Sequence, residues 1–204
     1  MFYNVLTEKH GLAHDPFKAI VAPRPIGWIS SLDENGIPNL APYRFFNGVS
    51  DNPHIVMFSS AGIKDSLHNI EQTGDFTCNI ATYDLRNQMN VSSANVEPGV
   101  SEFELAGLTK KNSRLVKSWG VDESPITLEC QYLKSVELED IKGAASPYRM
   151  VLGQVVGIHI SESVVTDGKI DMAKLKPIAR LGYRDYAVVD DVFEMVRPSV
   201  PGVV

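Results

Sequence analysis

Residues 17–60 form a close succession of short apolar runs, FKAIVAP, PIGWISSL, IPNLAPYRFF and HIVMFSS. Runs of this length, rich in β-branched and aromatic residues and bounded by turn residues, read as strands. Between the second and third, DENG places Asn35 before Gly36, a pair that tolerates positive φ and predicts a tight hairpin between Leu32 and Ile37. Between the third and fourth, DNP at 51–53 is a second breaker. Such short connections join antiparallel neighbours, because parallel pairs need a crossover of a dozen or more residues. This part of the chain is therefore expected to be a β-meander.

The period changes at KDSLHNIEQT, residues 64–73, where Leu67 and Ile70 recur at helical spacing and Asp65 or Ser66 can cap the start. DFTCNIA (75–81) reads as another strand and DLRNQMNVSSA (84–94) as a weaker helix with Leu85 and Met89 inward. Residues 95–125 carry Pro98, Gly99, Gly107 and Gly120, and are expected to be a long excursion with a helical piece at 113–119. Long excursions in compact domains are often lids or partner surfaces. ITLECQYLKSVELED (126–140) and YRMVLGQVVGIHISESVVT (148–166) alternate well enough to be half-buried sheet. Six or seven strands with few helices, out of βαβ order, predict a mainly β single domain over 1–204. A closed or nearly closed antiparallel barrel fits best, since closure removes exposed edges.

Composition excludes several function classes. A net charge of −6 argues against a broad nucleic-acid or anionic-membrane footprint, so any anion site must be built locally. No apolar stretch approaches the roughly 20 residues that span a bilayer, and the N-terminus lacks a basic segment followed by an apolar one, so a cytoplasmic location is expected. Cys78 and Cys130 lie in apolar or alternating runs and read as core thiols. The five histidines show no metal spacing. There is no GxGxxG, GxxxxGK[ST] or GxSxG, so nucleotide binding through those loops and nucleophilic catalysis lack support. Binding elements without an acid–base set suit an enzyme that leaves the chemistry to a cofactor.

Three segments could bind one. Ser59 and Ser60 end a strand, Gly62 permits a sharp turn, and Lys64, Asp65 and Ser66 open a helix. Free N–H groups at a helix start, with Lys64 and the hydroxyls, make a phosphate cradle; the alternative is that Asp65 or Ser66 caps the helix and Lys64 is solvated. NLAPYRFFN, residues 39–47, combines Ala41, Pro42, Tyr43, Arg44 and Asn47 in a proline-interrupted run that can hold a planar ring, or can simply pack its aromatics into the core. PRPIGWISS, residues 23–31, offers Arg24, Ile29, Ser30 and Ser31, with Arg24 either a ligand contact or a surface charge. Nearer the C-terminus, Arg180, Tyr183 and Tyr186 can close over a planar ligand or cover the barrel.

Taken in order, PRPIGWISSLDENGIPNLAPYRFFN, KDSLHNI, FTCNIA and RLGYRDY resemble the flavin reductase-like family of FMN-binding split barrels, the group that includes flavoredoxin. The resemblance covers roughly residues 19–198 and implies an antiparallel, Greek-key-like split β-barrel and a homodimer holding FMN near its interface. It implies an isoalloxazine ring against 29–31 and 41–47, with Ser59, Ser60, Lys64, Asp65 and Ser66 near the ribityl phosphate and Arg180 and Tyr183 as secondary contacts. Many relatives carry serine where this chain has Arg44, a departure that adds positive charge near the flavin and leaves the side-chain contact there open. Two functions follow: an oxidoreductase that takes hydride from NAD(P)H and passes electrons to flavin, oxygen or a protein acceptor, or a non-enzymatic electron carrier or flavin store. The lack of a nicotinamide fingerprint keeps the second open.

Overall fold

The computed structural model describes residues 1–94, 96 and 100–198. Seven strands, β1 (Gly27–Leu32), β2 (Pro38–Tyr43), β3 (Phe46–Asp51), β4 (His54–Ala61), β5 (Asp75–Ile80), β6 (Ile126–Glu139) and β7 (Ala145–Ile160), form one antiparallel sheet. Their order is β2-β1-β5-β6-β7-β4-β3. The connection between β1 and β2 is longer than a tight hairpin: Leu32 pairs with Pro38, and the Asp33 carboxylate accepts the N–H groups of Asn35 (2.9 Å) and Ile37 (2.7 Å). Only Gly36 takes positive φ there, at 79°.

The sheet curls until its ends face each other. Gly27, on β1, lies so close to Phe46 at the far edge that a Cβ on it would come within 2.6 Å of Phe46 Cδ2. The interior holds Ile29, Phe58, Phe76 and Val151 with the free thiols Cys78 and Cys130. Helix α1 (Asp65–Thr73) adds Leu67 and Ile70 to this core. Edge strands β2 and β3 share no ladder, so the barrel is split along that seam.

The run IPNLAPYRFF is not one strand. It bends at Arg44 and Phe45, and β3 starts at Phe46. FKAIVAP is not a strand either: Phe17–Ile20 is a short helix whose first N–H is accepted by the Asp15 carboxylate at 2.8 Å. Arg24–Pro25 then pairs with Ile178–Arg180, which also pairs with Tyr186–Val188.

The weak helix expected at 84–94 is shorter, α2 (Arg86–Val91). Residues 113–119 are not helical: four of their N–H groups are taken instead by two buried carboxylates of the sheet, which hold the segment against it. Glu129 accepts from Arg114 (2.7 Å) and Leu115 (2.6 Å), and Asp75 from Lys117 (3.1 Å) and Ser118 (3.0 Å). His159 Nε2 also hydrogen-bonds Glu129. The excursion after residue 100 is thus a cover: Phe103, Leu108 and Val121 join Trp28, Leu40 and Met89 in a second core outside the barrel.

Candidate functional site

A cleft of about 460 Å³ opens where the seam meets the start of α1. Ala41, Pro42 and Tyr43 of β2 form one wall and continue into the bend at Arg44 and Phe45. Ser59 and Ala61 at the end of β4 lead to Lys64, Asp65 and Ser66. Met89 and Ser92 from the end of α2, with Glu102, form the opposite side, and Arg180 and Tyr186 of the C-terminal hairpin stand at the rim.

The start of α1 is uncapped. Lys64 occupies the N-cap position in extended conformation (φ −102°, ψ 166°), and among the described residues no side chain accepts the first-turn N–H groups. Neither Asp65 nor Ser66 caps it; the Ser66 hydroxyl is engaged with the Asn39 amide at 3.3 Å. A helix start of this kind favours an anion. The Tyr43 ring packs on Phe58 with centroids 4.4 Å apart, while its buried hydroxyl lies beside the Ser60 and Ser66 hydroxyls without hydrogen-bond geometry to any partner among the described residues. Burial pushes that phenol above its ordinary value.

The cleft is electrically two-sided. Burial first, then the neighbouring Arg180 and Arg44 guanidinium groups, lower the Arg24 pKa, which marks three cations gathered near the rim. The same cleft is lined by Glu102, 7 % exposed, whose Oε2 accepts the Leu40 N–H at 3.1 Å. Burial raises its carboxyl above the usual range; hydrogen bonds from its own N–H and that of Leu40 oppose the rise, and Asp65 adds to it. An adjoining hollow of about 530 Å³ shares Asn39, Asp65 and Glu102 with the cleft and adds Asp33, Glu34 and His68.

Of the residues singled out from sequence, Ala41, Pro42, Tyr43, Arg44, Ser59, Lys64, Asp65, Ser66 and Arg180 line this cleft. The others do not. Ile29 points into the barrel core, and Ser30 and Ser31 are fully buried, with Ser31 accepting from Asn69 at 3.3 Å. Ser60 lies beneath the site and donates to Gly62 O at 3.0 Å. Arg24 is a buried clamp whose guanidinium donates to the carbonyls of Lys18, Val21 and Leu181. Asn47 is exposed and accepts the Gly48 N–H at 2.9 Å. Tyr183, at φ 55°, packs its ring at a tilt of 59° near that of His14, and its carbonyl accepts from Arg180 at 2.6 Å. Sequence reasoning missed Glu102, Ser92 and Tyr148. SEFE at 101–104 carries a helix-start pattern that marks the position of Glu102, but no local signal brings it to Leu40, 62 residues away.

Comparison with known proteins gives a consistent result. A family model described as flavin reductase like domain matches residues 21–177. An uncharacterized protein from Aquifex aeolicus is 32% identical over 173 residues, covering 82% of this chain and 85% of that one. The crystal structure of nitrilotriacetate monooxygenase component B from Bacillus cereus superposes with a TM-score of 0.86 at 30% identity, covering 96% of this chain and 98% of the other. Flavoredoxin of Desulfovibrio vulgaris shares the fold, with a TM-score of 0.75 at 18% identity, 96% of this chain and 99% of the other being covered.

Proposed function

Because this chain belongs to the flavin reductase-like family, we propose that it is an FMN-dependent oxidoreductase whose cofactor lies in the cleft between β2 and the start of α1. The observation that carries the proposal is the uncapped start of α1, which opens with Lys64 into the same cleft as the apolar strand Ala41–Pro42–Tyr43. A phosphate needs N–H donors and a cation, and a planar ring needs an apolar wall with polar groups at its edge. Both requirements are present, and the unpartnered Tyr43 hydroxyl leaves a buried donor free for a ligand.

When bound, FMN would supply the two-electron chemistry, accepting hydride from NAD(P)H and releasing electrons to free flavin, another small molecule or a protein. The residues of this chain bind and orient. Lys64, the first-turn N–H groups and the Ser59 and Ser66 hydroxyls hold the phosphate end. Pro42 and Phe45 flank the ring slot, and Arg44 and Arg180 place positive charge at its rim. We further propose that the protein works in the cytosol as a homodimer.

Titration with FMN, followed by flavin fluorescence, tests binding. Anaerobic mixing of the loaded protein with NADH and with NADPH tests turnover. Bleaching of the flavin absorbance with either supports the oxidoreductase; FMN binding without bleaching leaves an electron carrier or flavin store.

A further inference from the structure

Glu102 is the buried carboxyl that the cofactor reading leaves without a role. It lines the cleft, is 7 % exposed, and forms no ion pair with a lysine, arginine or histidine among the described residues. Asp65, from the first turn of α1, raises its proton affinity further. The titratable and charged groups that line the two hollows with it are Lys64, Asp65 and His68 from the α1 segment, Asp33 and Glu34 from the loop before β2, Tyr43 from β2, and Arg44 and Arg180. Of these, the charge that acts on Glu102 is that of Asp65, which is of like sign.

Bringing a phosphate-bearing ligand into this space adds negative charge beside a carboxylate already removed from water. Like charges at such a site are relieved by protonating one of them. Lys64 and the helix start serve the ligand's phosphate, whereas Glu102 has only backbone N–H donors. A proton from solvent is the available compensation.

We propose that Glu102 faces the ligand and takes up one proton when an anionic cofactor enters the cleft, becoming a hydrogen-bond donor in place of a buried negative charge. This rests on the FMN reading above. The balance is simple: carboxylate, solvent proton and ligand combine to give the carboxylic acid and the bound ligand, with no electrons exchanged.

The test is calorimetric titration of wild type and Glu102→Gln with FMN, in buffers of different ionisation enthalpy and across pH 5–9. The phosphate of FMN has its own ionisation near pH ~6, so the difference between the two proteins is the quantity read. Wild type should take up more protons than E102Q, by up to about one per FMN, and its Kd should rise with pH by up to about tenfold per unit relative to the variant. Infrared difference spectra of wild type labelled with 13C-glutamate should show a protonated carboxyl appearing on FMN addition, which removes dependence on the variant's folding. Equal proton uptake in both proteins, or no new carboxylic acid band in wild type, would overturn the proposal while leaving FMN binding intact. Absence of FMN binding by wild type would overturn the cofactor reading and this inference with it.

Discussion

Replacing Gly27 by alanine probes the packing of the seam beside the cleft. The added methyl would sit 2.6 Å from Phe46 Cδ2, 2.7 Å from Cγ and 3.0 Å from Cβ. Carbon atoms rest about 3.5–4.0 Å apart, so Phe46 must retreat by about 1 Å. Ring rotation moves Cδ2 but leaves Cβ in place, and the retreat therefore has to include the β3 backbone. Phe46 is buried in the barrel core against Tyr43 and Phe58, with no open side to move into. Overpacking of this kind costs about 1–3 kcal/mol. Because β3 begins directly after Arg44 and Phe45, the displacement also reaches the wall of the cleft. Urea unfolding should show the loss as a lower midpoint at unchanged slope, and FMN titration should show weaker binding. Gly153→Ala is the control. Its methyl would crowd the fully buried Phe76 ring, 2.5 Å from Cε1, but neither residue lines the cleft. It should lose comparable stability and keep its FMN affinity. A Gly27→Ala protein within about 0.5 kcal/mol of wild type would refute the packing account, and equal loss of FMN affinity in both variants would refute the link from seam to site.

Lys64→Ala should weaken FMN binding by about 1–3 kcal/mol, the worth of a charge-assisted contact, with an unchanged circular dichroism spectrum; unaltered Kd would remove Lys64 from the site. Glu129→Gln tests residues 113–119, the strap that the two sheet carboxylates hold in place. Burial pushes the Glu129 carboxyl up, but His159 and the Arg114 and Leu115 N–H groups outweigh it and hold the group below its ordinary value. A depressed folded value means stability that is present above the unfolded value of about 4.3 and lost as pH falls through the folded one. The variant should be about 1–3 kcal/mol less stable at pH 7, should exchange the Arg114 and Leu115 amides faster, and should converge on wild type in acid. A gap that persists unchanged at low pH would show that the carboxylate charge is not what holds the strap.

Much of the fold is legible from local pattern. The alternation in β6 and β7, the apolar spacing of Leu67 and Ile70, and the turn at Asp33 all act within a few residues, and the chain obeys them. The places where pattern misleads are those where a distant group decides. Residues 113–119 have helical composition, yet Asp75 and Glu129 capture their N–H groups from the sheet. FKAIVAP is apolar enough for a strand, but Asp15 starts a helical turn there, and Arg24 ties the segment to Leu181. In the site, Lys64 and Pro42 announce themselves by residue type, whereas Glu102 enters only because the second core folds its short helix, Glu102–Leu105, against β2. PRPIGWISS marks the right region, but the inward half of each strand alternation takes Ile29 into the core, away from the cleft.

The edge strand β2 carries a consequence for how copies of this chain can meet. Leu40 gives its N–H to Glu102, so the outward-facing positions of β2 are 38, 40 and 42. Two of these are prolines, which have no N–H, and the donor of the third is already engaged. A strand from another molecule approaching this edge would find carbonyl oxygens and no donors, and could not extend the sheet by ordinary pairing. The wall of the cleft thereby also withholds a template for aggregation, so this edge needs no partner strand to seal it.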